Sequence, residues 1–123
     1  MMIDVSHCGD QTFWDVIKMT SKPIIASHSS VYNLVASRRN LKDDQIKAIA
    51  KNEGVIMVNF HPGFIDSTFD GKEKAFFEKH AIENDSLLNS GMDEWYTMDY
   101  LYKKYTSEAE LMRPPLSKLI DHI

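Results

Sequence analysis

A parallel α/β fold is predicted by three features of residues 2–60: short continuous apolar runs, helical periodicity between them, and short connections joining the two. The first run, residues 2–5, ends in the polar cluster Ser6-His7-Cys8-Gly9-Asp10. Phe13, Val16, Ile17 and Thr20 then recur at the spacing of one helix face. Asp10 or Thr12 is placed to cap that helix, because a short oxygen side chain accepts from the unpaired first-turn amides. Ser21-Lys22-Pro23 stops it, since proline disfavours helix in the residue before it. Residues 23–26 form a second strand and again end in a polar cluster, Ser27-His28-Ser29-Ser30.

A loop through Arg38-Arg39-Asn40 leads to a second helix over residues 42–52. Asp43 and Asp44 fall in its first turn, where the helix dipole favours negative charge. Ile46, Ile49 and Ala50 form its predicted apolar stripe, and Gly54 is its natural stop. Residues 55–60, Val-Ile-Met-Val-Asn-Phe, are the clearest strand in the chain. Strands that are continuously apolar imply a sheet covered on both faces, and right-handed crossovers follow for parallel neighbours.

Beyond His61 the rhythm changes. Pro62-Gly63 and Asp70-Gly71 punctuate a predicted loop, followed by a helix over residues 72–84 with Phe76 and Phe77 on one side. Asn89-Ser90-Gly91 is a break, and residues 92–105 read as a helix carrying Trp95, Tyr96, Tyr100, Tyr102 and Tyr105, aromatics expected to pack. Arg113-Pro114-Pro115 ends it, and residues 116–123 open a further helix. The length suits one domain: a βαβαβ unit over 1–60, a helical insertion over 61–114, and the start of a final helix over 115–123.

The 123 residues carry 14 Lys and Arg against 18 Asp and Glu, a formal net charge of −4. That balance gives no general attraction to phosphate backbones, so no nucleic-acid partner is expected. Cys8 is the single cysteine, which excludes a disulfide framework and a multi-cysteine zinc site. No apolar run approaches the roughly 20 residues that span a bilayer. Met1-Met2-Ile3-Asp4 has neither a basic nor an apolar leader region, so the expected location is cytoplasmic.

Functional groups of parallel α/β sheets gather beyond the carboxyl ends of the strands. Two strands here end alike, in Ser6-His7 and Ser27-His28, which places two imidazoles on one rim of neighbouring strands. Two neutral imidazoles there can share a divalent metal; alternatively each is a hydrogen-bonded loop residue. Further ligands at that rim are limited to Asp10, Asn59 and His61. Arg38 and Arg39 follow the second strand and either pair bidentately with a substrate carboxylate or form a basic loop neutralised by Asp43 and Asp44. Cys8 is set aside as a nucleophile, because adjacent residues on an extended chain point apart. His80 and His122 are expected at the surface of helices.

Asp4-Val5-Ser6-His7, the run from Pro23 to Ser30, Ser37-Arg38-Arg39-Asn40 and Val58-Asn59-Phe60 together resemble the renal (membrane) dipeptidase family of zinc metallopeptidases. The resemblance is continuous from Ile3 to about Phe64, weakens through the insertion, and returns from Pro115 to Ile123. It implies a fragment of a (β/α)₈ TIM barrel, with about three parallel strands matching the fifth to seventh plus a helical insertion. It also implies a two-zinc site in which His7 and His28 hold the second zinc and Arg39 binds the carboxylate of a dipeptide substrate. A metal-bridging water attacks the peptide carbonyl in that family.

The His-x-Asp pair, the bridging glutamate and the Asp-Phe-Asp-Gly stretch of the family do not occur in this sequence, so ligands for only one zinc are offered. The expectation is a dipeptidase fragment, inactive as an isolated chain and with no catalytic residue of its own. The alternatives are a non-catalytic α/β domain, or a fragment of another amidohydrolase-type amide or lactone hydrolase. Three strands cannot close a barrel, so open sheet edges predict a homo-oligomer.

Overall fold

The computed structural model describes residues 1–123. In chain order the elements are α1 (Asp10–Met19), β1 (Ile25–Ala26), α2 (Asp43–Lys51), β2 (Val55–Ile56), α3 (Pro62–Ile65), α4 (Phe69–Lys79), α5 (Ala81–Asn89), α6 (Glu94–Lys104), α7 (Thr106–Met112) and α8 (Leu116–Ile120). They form two compact units, Met1–Ser67 with Pro115–Ile123, and Thr68–Pro114. No helix is long and apolar enough to cross a membrane.

In the first unit β1 and β2 pair in parallel, with Ile25 opposite Val55 and Ala26 opposite Ile56. Asp4 bridges the other side of β1 at Ile25, also in parallel. Val5 N–H donates to Ile25 O and Ile25 N–H donates to Ile3 O, each at 2.9 Å. The three predicted runs therefore lie side by side in parallel, but regular ladder covers only two residues of each later run and one bridge of the first. The reason is local: past Ala26 and Val5 the chain turns, and side chains take up main-chain amides there, Asp4 accepting from Ser6 and Ser27 N–H and Ser6 Oγ from His28 N–H.

Val5, Phe13, Ile24, Ala26, Leu41 and Ile49 make the core under this array. The apolar run over 55–60 is not covered as it implied, for Val55 in β2 and Met57 and Phe60 past it are exposed. The stripe of α2 is also rotated from its predicted position: Gln45 and Ile49 are buried while Ala50 is exposed. Gln45 is tolerated inside because its Oε1 accepts from Lys42 N–H (2.9 Å) and its Nε2 donates to Asp10 (3.2 Å). At the start of α1 the N-cap is Gly9 and no side chain caps it, so neither Asp10 nor Thr12 has the predicted role.

Past α2, Glu53 takes the left-handed turn at φ 59°, and Gly54 serves a different need. A Cβ on Gly54 would lie 2.5 Å from Ile24 O, so only glycine lets the chain pass this close to β1. Asn52 completes the junction, accepting from Ile24 N–H at 2.8 Å and donating to Lys22 O at 3.1 Å.

Pro62-Gly63 was predicted as loop but opens the helical turn α3, because proline suits a first helical position and the His61 ring accepts from Gly63 N–H. His122, predicted at the surface, is buried at the end of α8. Its Nδ1 accepts from Val31 N–H at 3.0 Å and its Nε2 donates to Ile65 O at 3.3 Å, so both ring nitrogens hold backbone.

The second unit is wholly helical. Phe69, Phe76, Leu101 and Met112 form its core, with Phe77, Leu87, Tyr102 and Tyr105 packed against them. Asp70-Gly71 lies inside α4 rather than in a loop, and the helix predicted over 72–84 breaks at His80. His80 is not a surface residue: its ring stacks on Tyr105 at 3.7 Å between centroids and its Nε2 lies 3.3 Å from Glu108. The aromatics predicted over 92–105 divide, with Tyr102 and Tyr105 packed while Trp95, Tyr96 and Tyr100 are exposed.

Candidate functional site

The carboxyl rim of the parallel array is where the two Ser-His dipeptides turn. Cys8 N–H returns to Val5 O at 3.2 Å, closing the first turn, and Ser29 N–H bonds Met57 O at 3.1 Å, anchoring the second to the chain just past β2. The turns bring His7 and His28 together, with ring centroids 4.6 Å apart and Nε2 facing Nε2 at 2.5 Å.

Arg39 closes the third side, with its Nη2 in hydrogen-bond contact with His7 Nε2. A guanidinium only donates, so His7 Nε2 is the acceptor. Partial desolvation, the Arg39 charge and His28 each push the His7 imidazole below the ordinary histidine range. These influences favour the neutral imidazole, the form that ligates a metal. The guanidinium rests over Phe64 at 5.3 Å, and its Nε is buried without a partner. Arg38 is exposed.

The loop carrying Arg39 is fixed by its neighbour Asn40, which is buried. Asn40 Nδ2 donates to Val35 O (3.0 Å) and Phe64 O (2.9 Å), while its Oδ1 accepts from Ser30 N–H (3.2 Å). Both arginines, His7, Asp10 and Lys42 line an open depression of about 590 Å³.

Beneath the histidines sits a residue given no role above. Asp4 accepts from Ser6 N–H (3.0 Å), Ser6 Oγ (2.8 Å), Ser27 N–H (3.2 Å) and Ser27 Oγ. Desolvation pushes the Asp4 carboxyl upward, but the bonds from Ser27 and Ser6 outweigh it and hold the group well below the usual carboxylate range. The readable signal was the repeated Ser-His at both strand ends, with an aspartate on the first strand to receive both serines.

The other rim candidates are engaged with other partners. Asp10 is in contact with Lys42, which lowers its pKa. Asn59 Oδ1 accepts from His61 N–H at 2.7 Å, and His61 caps α3 and packs on Phe64. No group of three or more His, Cys, Asp or Glu side chains converges anywhere to hold a metal. The pair supplies two imidazole donors, which suits a borderline-soft cation such as zinc but fills only half of a four-coordinate shell. The Cys8 thiol bonds Val5 O at 3.1 Å and burial raises its pKa, the opposite of an activated nucleophile.

A sequence profile of the membrane dipeptidase family (peptidase family M19) matches residues 1–123. An uncharacterized protein from the PQQ-III 3′ region of Acinetobacter calcoaceticus is 41% identical over 75 residues, 61% of this chain and 23% of its own length. An uncharacterized dipeptidase of Schizosaccharomyces pombe is 43% identical over 65 residues, 53% of this chain and 16% of its own length. The chain thus spans less than a quarter of either relative.

Among solved structures, a metallopeptidase from Rhodobacter sphaeroides bound to a phosphinate mimic of L-Ala-D-Ala is 34% identical, with a TM-score of 0.52 over 53% of this chain and 18% of that one. A probable dipeptidase, PvdM of Pseudomonas aeruginosa, shares the fold over 99% of this chain and 34% of its own, with a TM-score of 0.61 at 23% identity.

Proposed function

Since the chain belongs to the membrane dipeptidase family, peptidase family M19, we propose that it carries part of the metal and substrate site of a zinc-dependent dipeptidase, built on a segment of a (β/α)₈ barrel. The observation that carries this reading is the meeting of His7 and His28 through their Nε2 atoms beside Arg39, at the carboxyl rim of parallel strands. His7 and His28 would hold one zinc. A bound zinc ion supplies a Lewis acid that lowers the pKa of water and polarises a peptide carbonyl.

The chain's own residues bind and orient. Arg39, with an unpartnered Nε and a planar fork, fits a dipeptide carboxylate bidentately. Asn40 and Phe64 hold that fork in place, so its geometry is set before substrate arrives. With two ligands and no third, the 123-residue chain is expected not to hydrolyse dipeptides appreciably.

The test is a zinc titration by calorimetry. Wild type is expected to bind zinc, and the His7→Ala, His28→Ala double variant to lose that binding. Equal affinity in both would overturn the assignment, as would zinc-dependent cleavage of Gly-Leu by this chain alone for the inactivity.

The exposed end of the strand array favours a second, compatible reading: self-association. β2 is paired on one side only, and Val55 on it and Met57 and Phe60 just past it are exposed. Sedimentation at micromolar concentration is expected to show an oligomer; a compact monomer would refute this.

A further inference from the structure

We propose that Asp4 is a positioning residue that acts through Ser27 to fix His28 as the Nδ1–H tautomer, leaving the Nε2 lone pair free to meet a divalent cation. The inference rests on the metal-site reading of the histidine pair, but its core is hydrogen-bond bookkeeping within this chain.

Asp4 accepts from two hydroxyls and two backbone amides, and an ionised carboxylate can only accept. The single proton of Ser27 Oγ therefore points at Asp4. Ser27 Oγ also lies 2.7 Å from His28 Nδ1, and with its own proton committed it can only accept there. His28 Nδ1 must carry the hydrogen, which leaves Nε2 bare on the side where His7 stands.

Ser6 repeats the arrangement on the backbone. Its hydroxyl donates to Asp4 at 2.8 Å and accepts from His28 N–H at 3.0 Å. One carboxylate thus orients two hydroxyls, and both receive hydrogens from His28, one from the ring and one from the main chain. Outer partners of this kind set the tautomer and basicity of ligating imidazoles.

Replacing the carboxylate by an amide reverses the chain. In Asp4→Asn the amide N–H₂ can donate to Ser27, whose hydroxyl then turns to His28 Nδ1 and moves the ring proton to Nε2, against the site.

The experiment is long-range ¹H–¹⁵N imidazole spectroscopy of the metal-free 123-residue chain near pH 8, above the ordinary histidine range. His28→Gln assigns the signals. Wild type is expected to show His28 protonated on Nδ1. Asp4→Asn should shift the proton to Nε2, Ser27→Ala should abolish the Nδ1 preference, and Ser27→Thr, which keeps the hydroxyl, should restore it.

Zinc affinity should fall about 10- to 100-fold in the first two variants and recover in the third. The Ser27 pair carries the test without altering the residue that bridges to β1, should Asp4→Asn perturb folding. A wild-type His28 protonated on Nε2, or a tautomer unmoved by Asp4→Asn and Ser27→Ala, overturns the proposal and leaves the zinc reading standing. The expected tautomer shifts in a chain that binds no zinc would instead sink the zinc reading and leave the relay.

Discussion

The two units use histidine in opposite ways. In the helical unit His80 is held as part of the packing, with its face on Tyr105 and its Nε2 against Glu108, beside Lys79 at 2.8 Å from the same carboxylate. At the rim of the other unit, Ser27 holds one nitrogen of His28 and the second faces His7. A histidine becomes a strut or a candidate ligand according to whether its ring is spent on packing and internal partners or presents a nitrogen to a second imidazole. His122 marks the same divide within the first unit, since both its nitrogens hold backbone.

The largest expected effect comes from the helical unit's core. Phe76 is buried and touches Phe77, His80, Tyr102 and Tyr105, so Phe76→Ala should cost about 3–5 kcal/mol in urea unfolding. A loss below 1 kcal/mol would show that this unit does not depend on packing as described. In the rim unit the sensitive point is backbone approach. Gly54→Ala places a methyl against Ile24 O and should cost about 1–3 kcal/mol by the same measurement.

The contrast itself is tested by a pair of single variants. His28→Ala should weaken zinc binding by more than about 100-fold, beyond what loss of an outer partner costs. His80→Ala should leave zinc affinity unchanged and cost about 1 kcal/mol of stability, the worth of one aromatic stack. The reverse pattern would break the comparison.

Acid provides the smallest and most selective signal. Asp4 titrates below its ordinary 3.8 in the folded chain, so its network contributes fully above that value. The contribution is lost progressively as pH falls from that value through the lower folded pKa, because the unfolded state takes up the proton first. Unfolding free energies measured from neutral pH downward should fall in acid for wild type and less steeply for Asp4→Asn; parallel curves would contradict the assignment.

The outline of the rim unit was legible because short apolar runs and helical stripes are local patterns. Both turns ending in Ser-His and the helix over 42–52 lie where periodicity puts them. The division of α4 from α5 was not legible, since His80 interrupts the helix to stack on a tyrosine far along the chain. The role of Asp4 left only an indirect trace in the repeated Ser-His, because its partner Ser27 reaches it only when two parallel segments pair.

The sequence by itself determined the order of elements, the placement of two imidazoles at equivalent strand ends, and the family motif, because each depends on residues near one another in the chain. Tertiary structure alone decided which arginine reaches the histidines, that His122 has both nitrogens on backbone, and how one carboxylate orients two serines. Those outcomes depend on distances between segments remote in sequence, and hydrogen bonds are satisfied or left open only once such segments meet.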